Sequence, residues 1–148
     1  MALIKANYAD MKNAYFPHQE LSYKIIGAFF SVTNNYGNAH KELIYQNAFE
    51  EELKTLSIQF KREIEIPIFS IITAKKLGIY RADFLVDDKI IVEIKALKFI
   101  PTKLEQQIFK YLNSTSLEIG YLVNFGSSNL YFKRYILSNI YKKSARSE

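Results

Sequence analysis

Leu21, Ile25, Phe29 and Val32 recur at the three-to-four-residue spacing that gathers side chains on one face of an α-helix. This predicts a helix over residues 19–34, with Gly37 soon after as a stop signal. A second helix is expected from about 39 to 53, with Asn38 as its N-cap and Leu43, Ala48, Phe49 and Leu53 in its buried stripe. Then the period shortens. Residues 57–66 alternate in places like a strand, and Pro67 interrupts its continuation. Residues 69–73 read as a short strand and 75–78 as a turn closed by Gly78.

Residues 79–86 and 90–96 are rich in β-branched and aromatic side chains and read as a β-hairpin. Pro101 and Thr102 introduce a third helix, striped by Leu104, Ile108 and Leu112. Thr102 to Glu105 form a capping-box pattern, in which Glu105 reaches back to the cap and is a poor candidate for chemistry. Residues 117–125 and 130–137 read as two strands around a Gly-Ser-Ser-Asn turn. This order predicts an α/β fold, a mixed β-sheet flanked by helices.

The 148 residues contain no repeat and no linker, so one domain over 1–148 is expected, with 1–16 an irregular arm and 141–148 a flexible tail. The absence of Cys excludes disulfides, zinc-thiolate sites and thiol nucleophiles. His18 and His40 lack metal-binding spacing. No segment resembles a secretory signal or a membrane span, which points to a cytoplasmic protein with no membrane partner. A net charge of +5 favours a polyanionic partner. Lys142, Lys143 and Arg146 fall in the expected tail, where they would solubilise the chain end.

The hairpin carries the chemistry. Glu93 and Lys95 alternate onto one face of their strand, and Arg81, Asp83 and Leu85 share a face of the other. A three-residue loop, Asp87-Asp88-Lys89, sets Asp83 opposite Glu93 with both carboxylates on one side; a two-residue loop separates them. Two carboxylates suit a hard Mg²⁺ ion, with the Ile94 carbonyl as a further oxygen ligand and water and phosphate completing the shell. Lys95 would lie at the attacked phosphate. Glu42 and Tyr45 share a face of the second helix, where Glu42 adds a carboxylate directly or through water. Gln107 and Tyr111 share a face of the third helix. Without such convergence, Glu93 and Lys95 are the solvated face of an edge strand.

From about Glu20 to Leu137 the chain resembles the GxxExxY family, a branch of the PD-(D/E)XK nuclease superfamily. The eponymous motif falls on Ala39, Glu42 and Tyr45, with alanine in place of glycine, and Ala82 stands where the superfamily has proline. Asp83, Glu93 and Lys95 match the catalytic triad, and Gln107 and Tyr111 match the Q-x-x-x-Y helix motif of the recombination-exonuclease branch. The resemblance implies the PD-(D/E)XK restriction-endonuclease-like core and Mg²⁺-dependent cleavage of nucleic acid, DNA first, with Mn²⁺ as a substitute metal. It implies Glu42, Asp83, Glu93, Lys95, Gln107 and Tyr111 as site residues. The superfamily also contains binding and assembly members, so a catalytically silent nucleic-acid-binding module is the alternative, with a small-molecule phosphodiesterase behind it. A homodimer or a protein partner is left open.

Overall fold

A computed structural model describes residues 16–142. Apart from Phe16, Tyr141 and Lys142, the expected arm and tail lie outside the described residues. The elements are α1 (Gln19–Tyr36), α2 (Glu42–Thr55), β1 (Phe60–Phe69), β2 (Lys76–Val86), β3 (Ile90–Lys95), α3 (Thr102–Ser114), β4 (Ile119–Asn124) and β5 (Tyr131–Ile136), followed by a short 3₁₀ helix, Asn139–Tyr141. The strands form one mixed sheet in the order β1-β2-β3-β4-β5. Only β3 and β4 run parallel, because the crossover through α3 returns the chain in the same direction. This is the mixed sheet with flanking helices that the residue pattern predicts.

Two apolar layers hold the sheet. On one face Ile90, Val92, Ile94, Tyr121 and Val123 pack against Ile25, Phe29, Phe49 and Leu53 of α1 and α2. On the other, Ala82, Ile91 and Leu122 pack against Ile108, Tyr111 and Leu112 of α3. β3 and β4 are buried throughout, apart from half-buried Lys95, as a strand covered on both faces must be. No helix among the described residues is long and apolar enough to cross a membrane.

Several local expectations are overturned. α2 begins at Glu42 with Lys41 as N-cap and no side-chain cap; Asn38 instead donates from Nδ2 to the Ser127 carbonyl at 3.3 Å. Its buried stripe takes Tyr45, not Leu43, which is exposed. Pro67 lies inside β1, opposite Ile79, because β1 is an edge strand and its outer side needs no N–H. Residues 70–75 form a turn in which Ser70 Oγ accepts from the Ile72 and Thr73 N–H groups at 3.1 and 3.0 Å; local side-chain bonding defeats the expected short strand. The 75–78 turn is displaced, since β2 already starts at Lys76. Pro101, not Thr102, caps α3, and Glu105 makes no capping bond; it accepts from the Tyr131 hydroxyl and pairs with Lys133 at 3.8 Å. Lys142 is buried at 1% exposure, its ammonium donating to the Thr115 and Leu117 carbonyls, so it is no part of a loose tail.

Candidate active site

The hairpin turn sets the register. Asp87 and Asp88 adopt positive φ, a conformation that Asp tolerates better than most residues, and β2 pairs with β3 through Val86↔Ile90, Leu85↔Ile91 and Phe84↔Val92. This is the three-residue loop, and it brings Asp83 level with Glu93. There the strands part. The Asp83 N–H donates to Glu93 Oε1 at 3.1 Å, and the Ile94 N–H donates to Asp83 Oδ2 at 2.8 Å. Carboxylate oxygens replace carbonyls in the ladder, so the fork opens without orphaning these N–H groups. On the outer side Glu63 has φ 49°, beside the point where β1 and β2 change face. Arg62 and Phe84 face α2, whereas Ile64 and Ala82 pack on the α3 side.

Two further elements close on the fork. Lys95 ends β3, and its Nζ lies 3.8 Å from Glu42 Oε1 in the first turn of α2. Tyr45 fixes that turn: its hydroxyl donates to the Gly37 carbonyl at 2.7 Å and accepts from the His40 N–H at 3.1 Å. Its ring stacks on Phe125 with centroids 4.9 Å apart. Tyr45 thus acts through the position it gives Glu42.

The electrostatics record the crowding. Burial raises the Glu93 pKa from 4.5 to about 8; the Asp83 charge adds to this, while the Asp83 N–H bond and Lys95 oppose it. Burial also pushes Asp83 up, against the Ile94 N–H bond and the charges of Lys95 and Arg62. Glu42 rises by burial too, with Lys95 opposing. These carboxylates cannot all ionise cheaply without added positive charge. Carboxylate oxygens crowded in this way are the hard donor set that suits a divalent ion. Among the described residues no three His, Asp or Glu side chains form a ready-made metal cage; Glu42 lies near enough to Asp83 for their charges to oppose each other.

The structure therefore brings Glu42, Asp83, Glu93 and Lys95 together. Gln107 is exposed on α3, and no hydrogen bond or ion pair among the described residues ties it to the carboxylates. Tyr111 is 6% exposed, packed in the layer that contains Ala82 and Ile91 and against the Tyr80 ring. Burial raises its phenol pKa further above the ordinary range.

Two positioning groups escape sequence reasoning. Arg62 donates to Asn47 Oδ1 at 2.8 Å and Gln46 Oε1 at 3.3 Å, which holds its positive charge near Asp83. Asn124, the last residue of β4, donates to the Leu97 carbonyl at 2.7 Å and accepts from the Leu97 N–H at 2.8 Å, pinning the chain just after Lys95. An Asn closing the apolar run of residues 119–123 was the available signal for the second; Arg62 carried none.

A recess of about 670 Å³, lined by His18, Gln19, Lys24, Gln59, Asp87 and Lys89, lies at the hairpin-turn end of the sheet, away from these carboxylates. No curated protein and no solved structure matches the chain significantly. The family model for the PD-(D/E)XK nuclease superfamily does match, over residues 19–135. Its span runs from the first residue of α1 nearly to the end of β5 and takes in the fork, Lys95 and α3, so the chain belongs to the PD-(D/E)XK nuclease superfamily.

Proposed function

We propose that this protein hydrolyses phosphodiester bonds of nucleic acid, DNA in the first place, with Mg²⁺ as the metal and Mn²⁺ as a substitute. The observation that carries the proposal is the opening of the sheet at Asp83 and Glu93, with Lys95 and Glu42 facing the same fork. Asp83 and Glu93 would hold the metal through their carboxylate oxygens, with the Ile94 carbonyl and Glu42 as further oxygen donors. When bound, the ion supplies positive charge and raises the acidity of a coordinated water. Lys95 places its ammonium at the scissile phosphate, where it offsets the charge that grows as water adds to phosphorus and the leaving oxygen departs. The Glu42 ion pair keeps that ammonium aimed at the fork. Gln107, exposed on α3, is assigned to substrate contact and Tyr111, buried in the α3-side layer, to positioning, roles supported by their family match alone. The order Ala39, Glu42, Tyr45 supports the GxxExxY branch.

The test is cleavage of single- and double-stranded DNA and RNA with Mg²⁺ or Mn²⁺, with Lys95→Ala prepared in parallel. Metal-dependent cutting that Lys95→Ala loses is expected. Equal cutting by both proteins points to a contaminant or another site, and binding without cutting under every metal favours the silent binding module.

A further inference from the structure

β2 is longer than its partner in the sheet. Pairing with β3 ends at Phe84, but pairing with β1 continues down to Phe69↔Lys76. From the fork outward, β1 and β2 therefore form a two-stranded arm that starts at the carboxylates. Lys76 lies roughly 23 Å from Asp83 at about 3.3 Å per residue. The root of the arm is covered, with Ile64, Ile66, Ile68 and Tyr80 packed in the α3-side layer. The tip is bare. Phe69, Ile71, Ile72, Leu77 and Ile79 are 52%, 60%, 89%, 71% and 50% exposed.

This tip is a built structure. Ser70 N–H donates to the Lys75 carbonyl at 2.8 Å, and Ala74 N–H to the Ser70 carbonyl at 3.0 Å, in addition to the two bonds to Ser70 Oγ. Its charge has one sign. Between Glu65 and Asp83 the chain carries Lys75, Lys76 and Arg81 and no acidic residue. Arg81 is engaged by Glu65 at 2.9 Å, which leaves the two lysines beside the bare aliphatic side chains.

A two-stranded ribbon fits the groove of a nucleic-acid duplex, and aliphatic wedges enter base steps when flanking cations hold the phosphates. We propose that the β1–β2 arm grips duplex DNA beside the candidate active site, with Lys75 and Lys76 on phosphates and Ile71 and Ile72 wedged against a base step. This rests on the nuclease reading above and names its substrate as double-stranded. A protein partner would find the aliphatic tip equally attractive, but the lysines and the origin of the arm at the phosphate-cutting fork favour DNA.

The test uses the full chain, a short blunt-ended DNA duplex carrying 2-aminopurine, and Ca²⁺ in place of Mg²⁺. Lys75→Ser/Lys76→Ser is expected to weaken duplex binding roughly tenfold and to lower the salt slope by about two. Ile71→Ser/Ile72→Ser should weaken binding several-fold, leave the salt slope unchanged and remove the 2-aminopurine fluorescence rise that the native protein produces. These side chains are exposed, so thermal unfolding should be unaffected in both variants. Duplex binding equal to wild type in both variants would overturn the arm; if Asp83→Asn still abolished Mg²⁺ cleavage, the nuclease reading would survive. No duplex binding by the wild type also overturns the arm. So does a wild-type dimer, seen by sedimentation without DNA, that the isoleucine variant converts to monomer, since the tip then serves self-association. Arm-dependent binding with no cleavage under any metal would keep the arm and overturn hydrolysis.

Discussion

Glu93 sits at 8% exposure with the Asp83 carboxylate against it, and its pKa of about 8 has a measurable consequence for the metal-free fold. An unfolded Glu releases its proton near 4.5, whereas the folded protein holds it until about 8. In that window the native state binds more protons, so stability falls as pH rises; the contribution is full below the lower value and lost through the upper one. Asp83 and Glu42, also raised, act in the same direction. We expect the urea midpoint of the metal-free protein to drop between about pH 5 and about pH 8, and Glu93→Gln to flatten much of that slope. A midpoint indifferent to pH would contradict the buried pair. The roles of two other residues separate by calorimetry. Asp83→Asn should weaken Mn²⁺ binding and abolish cleavage, because an amide offers a neutral ligand. Lys95→Ala should keep most Mn²⁺ affinity and slow the chemistry, because its work is at the phosphate. Loss of Mn²⁺ affinity in Lys95→Ala would refute that division.

At the scale of elements, the segment after Lys95 depends on β4. Phe125 N–H donates to the Lys95 carbonyl at 2.9 Å, Asn124 brackets Leu97, and Gly126 lies so close that an added Cβ would sit 2.5 Å from Ala96 C and Leu97 N. Gly126→Ala must therefore displace backbone. Asn124→Ala leaves the Leu97 N–H and C=O without partners at a cost of about 1–3 kcal/mol. Urea unfolding measures the second, and both variants should cut more slowly than their residual folded fraction allows, because Lys95 loses its support. Rates that track the folded fraction would reduce Asn124 to a purely structural residue. The capping box is an instructive miss at this scale. Thr102 and Glu105 have the right spacing, but Pro101 takes the cap position, and Tyr131 and Lys133 across the α3–β5 contact compete successfully for the glutamate.

For the whole molecule, Phe29 joins the layers on one face of the sheet: its ring meets Phe49 at 5.4 Å, Tyr121 at 5.8 Å and Phe132 at 5.9 Å. Phe29→Ala should cost about 3–5 kcal/mol, read from the urea transition, because several elements close around that ring. A loss under about 1 kcal/mol would mean that α1 is dispensable to the core. The net charge of +5 belongs to this scale too, and nucleic-acid affinity should fall linearly in log–log form with salt.

The sequence by itself determined the order and type of the long elements, because helical period, β-branched runs and turn residues act over a few neighbours. It also determined that a three-residue loop puts Asp83 opposite Glu93, since strand parity is a local count. The stripe of Ala48, Phe49 and Leu53 on α2 was legible too, but only the tertiary structure decided its first position, for Tyr45 displaces Leu43 once Gly37, His40 and Phe125 offer partners from outside the helix. It alone parted the strands at Asp83, set Glu42 against Lys95, and extended β2 into an arm by letting Pro67 sit on a free edge. Each of these depends on groups far apart in the chain, and no local periodicity encodes which of them will meet.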